Sequence, residues 1–179
     1  MIRINTLAAN AALLISLGCA PLVGQATTGY IKTSVNPGRA GVFIDGKYVG
    51  PAANFKVSRK YAVSPGEHEV KLLEPRYEDI VKKVTVQAGK TTKVSETMKA
   101  LPAPKPPFGV LRTIGPDHFA AVYLNDKFMG HVDEFSNAQQ GLKIAPGTYT
   151  IRIVPVSGGS EHKEEVKIEA DKTTIVRAK

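Results

Sequence analysis

Val42-Phe43-Ile44-Asp45-Gly46-Lys47-Tyr48-Val49-Gly50 reads as a β-hairpin, and the chain writes it a second time as Val122-Tyr123-Leu124-Asn125-Asp126-Lys127-Phe128-Met129-Gly130. Asp45-Gly46 is a strong two-residue turn signal, because a type I′ turn needs positive φ at both central positions. Asn125-Asp126 suits the same turn less well. Pairing outward from the turn predicts Ile44 opposite Lys47, Phe43 opposite Tyr48 and Val42 opposite Val49. In the second copy Tyr123 faces Phe128 and Val122 faces Met129.

The repetition extends beyond the hairpin. The run Tyr30 to Met98 recurs in order from Phe108 to Arg177: Phe55 matches Phe135, Pro65-Gly66 matches Pro146-Gly147, and Lys90-Thr91-Thr92-Lys93-Val94 matches Lys172-Thr173-Thr174-Ile175-Val176. The offset grows from 80 to 82 residues along each copy, which places the insertions in loops. The rest of each copy alternates short β-branched runs with Gly, Pro, Asn and Asp clusters, the pattern of strands and turns. Ser64-Pro65-Gly66 and Ala145-Pro146-Gly147 fit type II turns, each launching a strand. One face of the first such strand carries His68, Val70 and Leu72, and of the second Tyr149, Ile151 and Ile153. Glu67, Glu69 and Lys71, or Thr148, Thr150 and Arg152, take the opposite face, the alternation of a half-buried antiparallel sheet. Val84 and Val86, with Val166 and Ile168, lead into predicted final hairpins at Ala88-Gly89 and Ala170-Asp171.

The expected fold is therefore all-β: two tandem small antiparallel β-sandwich modules, residues 27–98 and 108–179, after an N-terminal signal segment at 1–26. Modules of about seventy residues bury only ~60% of the surface of their unfolded chains, so each is marginal without a neighbour. Between them, residues 99–107 include Leu101-Pro102-Ala103-Pro104-Lys105-Pro106-Pro107, whose prolines favour a semi-rigid extended spacer. The expectation is two beads held apart, with side-by-side docking left open.

Arg3 is the only charge before Lys32, and an apolar run from Leu7 to Leu17 follows it, the layout of a secretory signal peptide. It is too short for a membrane span, which needs ~20 residues. Two processing routes compete. Gly24-Gln25-Ala26 suits cleavage before Thr27, whereas Ser16-Leu17-Gly18-Cys19 approaches the lipidation pattern that would end the leader at residue 18 and acylate Cys19. Cys19 is the sole cysteine, so no disulfide forms within the chain. Of the net charge of +8, the first module carries +5 and the second none, an asymmetry that suits an acidic surface.

Pro37-Gly38-Arg39-Ala40, Asp45-Gly46-Lys47-Tyr48-Val49-Gly50, Pro65-Gly66-Glu67-His68 and Tyr77 together resemble the PEGA domain of bacterial and archaeal envelope proteins. The second copy is more weakly similar, with Pro116-Asp117-His118-Phe119-Ala120 where the namesake tetrad would stand. The resemblance implies a small noncatalytic β-sandwich at an envelope surface. It implies no catalytic residues, and no metal or cofactor is expected.

The residues themselves point the same way. His118, His131 and His162 have no counterparts in the first copy and no metal-ligand spacing. Glu161-His162-Lys163-Glu164-Glu165 lacks the second histidine of a metalloprotease helix and reads as a charged strand edge that discourages aggregation. The glycines mark turns and form no phosphate loop before a helix, and export argues against nucleic acid as a partner despite the basic composition. Three features could bind. The aromatic pairs Phe43 with Tyr48 and Tyr123 with Phe128 would offer apolar docking patches if their face is open. The basic loop residues Lys56, Arg59 and Lys60 would meet acidic glycans or headgroups. Cys19 would tether the chain to a membrane. The expected function is an exported noncatalytic envelope protein that binds an envelope protein or a cell-wall or surface component, with a secreted carbohydrate- or metal-ligand-binding protein as the alternative.

Overall fold

The computed structural model describes residues 28–57, 59–103 and 105–179. The leader reading of residues 1–26, including Cys19 and both processing routes, lies outside the described residues.

Each copy folds into seven strands. The first comprises β1 (Gly29–Asn36), β2 (Gly41–Ile44), β3 (Lys47–Pro51), β4 (Tyr61–Val63), β5 (Gly66–Leu73), β6 (Ile80–Val86) and β7 (Thr91–Thr97). The second repeats the order with β8 (Gly109–Ile114), β9 (Ala121–Leu124), β10 (Lys127–His131), β11 (Leu142–Ile144), β12 (Gly147–Val154), β13 (His162–Ile168) and β14 (Thr173–Arg177). In both, a four-stranded antiparallel sheet faces a three-stranded one. The orders are β3-β2-β5-β6 against β4-β1-β7, and β10-β9-β12-β13 against β11-β8-β14. A short 3-10 helix, Ala52–Phe55 or Val132–Phe135, follows the first hairpin and drops its phenylalanine into the core.

The alternation read from the sequence is what fills the sandwich. His68, Val70 and Leu72 are buried on β5 while Glu67, Glu69 and Lys71 face outward, and Ile151 and Ile153 are buried on β12. Thr33 and Thr113, polar but buried, each donate the side-chain hydroxyl to a carbonyl of the adjoining 3-10 segment, Ala52 O at 2.8 Å and Val132 O at 3.0 Å. Satisfying those hydroxyls keeps their burial from costing stability.

Four expectations need correction. Val42 pairs with Gly50 rather than Val49, and Val122 with Gly130 rather than Met129, because each hairpin carries a bulge after its aromatic pair. Gly50 and Gly130 have φ of 127° and 133°, a backbone conformation that a side chain strongly disfavours. The Pro-Gly turns are open corners between the two sheets, with Gly66 at φ 140° and Gly147 at φ 157° rather than the ~80° of a type II turn. The turns at Gly89 and Asp171 close no hairpin. They carry the chain from β6 or β13 into the other sheet, where β7 pairs parallel with β1, and β14 with β8. Val86 and Val94 then reach one core from opposite sheets, which a hairpin within a single sheet would prevent. The modules, finally, are not beads held apart: Phe43, Ala121 and Phe128 form a shared buried cluster between them.

Candidate functional site

The hairpin turns form as expected. Asp45 and Gly46 have φ of 50° and 79°, and Asn125 and Asp126 have 47° and 62°. The turn side chains also hold the neighbouring strand: Asp45 Oδ1 accepts from Glu69 N and Asn125 Oδ1 from Thr150 N, both at 2.9 Å. The register places Phe43 opposite Tyr48 and Tyr123 opposite Phe128, with these side chains on the hairpin face away from each core.

Those two faces meet each other. Phe128 lies 5.2 Å from Phe43 and 5.3 Å from Tyr48, centroid to centroid, and 5.8 Å from Tyr123. The predicted docking patch is therefore occupied by the other module. Gly41 makes the fit possible, since a Cβ there would come within 2.6 Å of Phe128 Cε1. Arg152 stacks over Tyr123 at 4.4 Å. Burial pushes the Tyr48 and Tyr123 phenols up, in Tyr123 against the opposing pull of Arg152.

Beside the aromatic cluster lies a charged one that the sequence reading did not single out. Glu74, 2% exposed, accepts from Arg39 Nε at 3.1 Å and Arg76 Nε at 2.6 Å through Oε1, and from Arg76 N at 2.8 Å through Oε2. Glu134 comes from the second module. Its Oε1 pairs with Arg39 Nε at 3.1 Å and with Arg76 Nη2. Burial pushes the Glu134 carboxyl up, with the Arg76 guanidinium pulling it back down. His131, whose Nδ1 stands 3.6 Å from Glu134 Oε2, is pushed down by burial. One signal could have found this cluster: the positions aligned with Arg39, Glu74, Arg76 and Glu134 in the opposite copies are Phe119, Pro155, Ser157 and Asn54. Charges present in one copy only mark what the shared fold does not require.

The ion-pair cluster floors a cleft of about 390 Å³ between the modules. Arg39 and Arg76 line one side, and Gln139, Gln140 and Lys143 the other. The basic loop lies elsewhere, at the end of the first 3-10 helix. Lys56, Arg59 and Lys60 are exposed there, Lys60 Nζ stands 3.5 Å over the Tyr30 ring, and Lys32 Nζ donates to Val57 O at 2.7 Å. His118 pairs loosely with Asp133 at 3.4 Å and His162 with Glu164 at 3.5 Å.

A pair of hairpin-led β-sandwiches docked face to face defines a tandem β-module protein. The family model for the PEGA domain matches residues 28–101, so the first module is a PEGA domain. Its boundary agrees with the fold, because Tyr77 bridges to Ala100 and Leu101 N donates to Arg76 O at 2.8 Å. No curated protein matches the chain. Among solved structures it is similar to the Bacillus anthracis TIE protein, at 16% identity and a TM-score of 0.27, over 86% of this chain and 33% of that one. No helix among the described residues is long and apolar enough to cross a membrane.

Proposed function

We propose that this protein is exported and serves as a noncatalytic binding or structural module of the cell envelope, with the second module a diverged copy of the PEGA domain. The observation that carries this reading is the repetition of one fold twice, with the two copies docked through their hairpin faces. Docking converts two marginal seventy-residue units into one body with a shared interior. Such a body presents an invariant outer surface, which suits recognition or spacing better than chemistry. The charged groups at the junction pair with one another, Arg39 and Arg76 with Glu74 and Glu134, and hold the two modules in one arrangement. The leader pattern of residues 1–26 supports export, and the basic first module supports attraction to an acidic envelope surface.

Cell fractionation with intact-mass and N-terminal analysis of the protein from its own cells tests this reading. The expected result is an envelope or secreted protein that begins at Thr27 or at acylated Cys19. A cytosolic protein that retains Met1 overturns it.

A further inference from the structure

We infer that the cleft between the modules binds the free C-terminal carboxylate of an extended peptide. This inference rests on the reading of the protein as a binding module and specifies the ligand class. Arg39 and Arg76 are held in place from below by buried Glu74, through Nε of each and the backbone N–H of Arg76. No hydrogen bond from the terminal nitrogens of Arg39, or from Nη1 of Arg76, is found among the described residues. Both side chains are about two-fifths exposed, at 39% and 41%, and both line the cleft, so their guanidinium groups are held in fixed positions at its wall. Fixed guanidinium donors are well suited to a carboxylate, whose two oxygens match their fork. Lys143, stacked over Phe108 at 4.6 Å, adds a third cation to the rim.

The opposite wall supplies what a peptide backbone needs. β11 pairs with β8 alone among the described strands, and its first residues border the cleft. An unpaired edge is a template for an added strand. The loop leading into it is tied down by Asn137, whose Oδ1 accepts from Gln139 N at 3.0 Å and Gln140 N at 2.9 Å, while its Nδ2 donates to Gln140 Oε1 at 2.6 Å. Among the described residues no aromatic ring lines this cleft, which favours a peptide over an acidic glycan, since a sugar ring is commonly gripped by stacking. Docking creates the site, because the arginines and the strand edge belong to different modules.

The test is an NMR titration of the full mature chain with acetyl-hexaalanine bearing a free carboxylate, with the same peptide as its C-terminal amide, and with tetragalacturonate. The free acid is expected to shift the amides of residues 139–144 and to bind about tenfold more tightly than the amide, the loss of one charge-assisted contact. Arg39→Gln is expected to abolish that preference. Lys143→Gln, at an exposed rim position that leaves the ion-pair cluster intact, is expected to weaken the acid about threefold even if Arg39→Gln fails to fold. Equal binding of acid and amide, shifts confined to another surface, binding of tetragalacturonate alone, or no binding overturns the proposal. Each of these leaves the envelope reading to stand or fall on fractionation.

Discussion

Phe43 of the first module meets Phe128 of the second edge to face, with ring centroids 5.2 Å apart and planes at 90°. The two are not equivalent positions. Phe43 aligns with Tyr123, and Phe128 with Tyr48, so the copies have exchanged which strand carries phenylalanine and which tyrosine. The consequence is a junction with both phenylalanines at its buried centre, 7% and 6% exposed, and both tyrosines at its half-buried margin. Edge-to-face pairs of this kind add about 0.5–1.5 kcal/mol beyond the area they bury.

Truncating the centre of that junction should therefore separate the modules without unfolding their individual cores. Phe128→Ala is expected to cost about 3 kcal/mol and to split one cooperative urea transition into two. X-ray scattering should show a larger radius of gyration. A single unchanged transition would show that the modules do not depend on this contact.

Gly41 and Phe128 should be energetically coupled. Gly41→Ala forces the Phe128 ring to move, at a cost of about 1–3 kcal/mol. In a Phe128→Ala background the added methyl keeps only the milder approach of Tyr48 Cε2 at 3.1 Å, so most of that cost should vanish. A double-mutant cycle measures this directly, and additive effects would exclude the contact as its cause.

His68 gives the first module a pH dependence at a position where the second carries Tyr149. Its Nδ1 stands 2.6 Å from Asp45 Oδ2 and its Nε2 2.7 Å from Ser64 O, and since both partners accept, they favour the protonated ring, which donates from both nitrogens. The Asp45 bond, then the Ser64 bond, raise the His68 pKa above its ordinary 6.5. The His68 bond, then the Glu69 backbone bond, lower that of Asp45 below 3.8. The histidine's contribution is complete below pH 6.5 and is lost as pH rises through its raised value. The aspartate's contribution is present above pH 3.8 and is lost as pH falls through its lowered one. Tyr149 fills the equivalent position with a neutral hydroxyl that donates to Ala145 O at 2.9 Å. His68→Tyr should therefore flatten the decline in melting temperature between pH 6 and pH 9, as thermal denaturation across that range will report.

Glu74→Ala should be far more damaging than most substitutions near the surface. It leaves Arg39 and Arg76, each about two-fifths exposed, with Glu134 as their one shared carboxylate and strips the Arg76 N–H of its acceptor, a loss expected to cost about 1–3 kcal/mol. Chemical denaturation of the variant checks this value. Stability within 1 kcal/mol of the parent would show that Glu134 alone holds both arginines.

Much of this architecture was legible in the residues because local rules govern it. Asp45-Gly46 dictates a tight turn, the alternation from His68 to Leu72 dictates which face is buried, and the recurrence of both at Asn125 and Tyr149 dictates two modules. The bulges at Val49 and Met129 were harder to read. They depend on how Gly50 and Gly130 fit above the neighbouring 3-10 segments, and a glycine in a strand permits a bulge without requiring one. The strand after Gly89 departs from its sequence expectation for a related reason. A two-residue turn signal is the same whether the chain folds back within one sheet or crosses to the other, and only the parallel pairing of β7 with β1 in the facing sheet separates the two.

The sequence by itself determined the module, its repetition and its hairpin faces, because backbone φ preferences and the two-residue period of a strand act over a few neighbouring positions. Only the tertiary structure decided that the aromatic faces cover one another, that Glu74 and Glu134 share two arginines across the junction, and that a cleft opens beside them. The contacts across the junction join residues 58 to 95 positions apart. What selects them is the close fit of Phe128 over Gly41 and the need to pair buried charge, and neither leaves a local pattern to read.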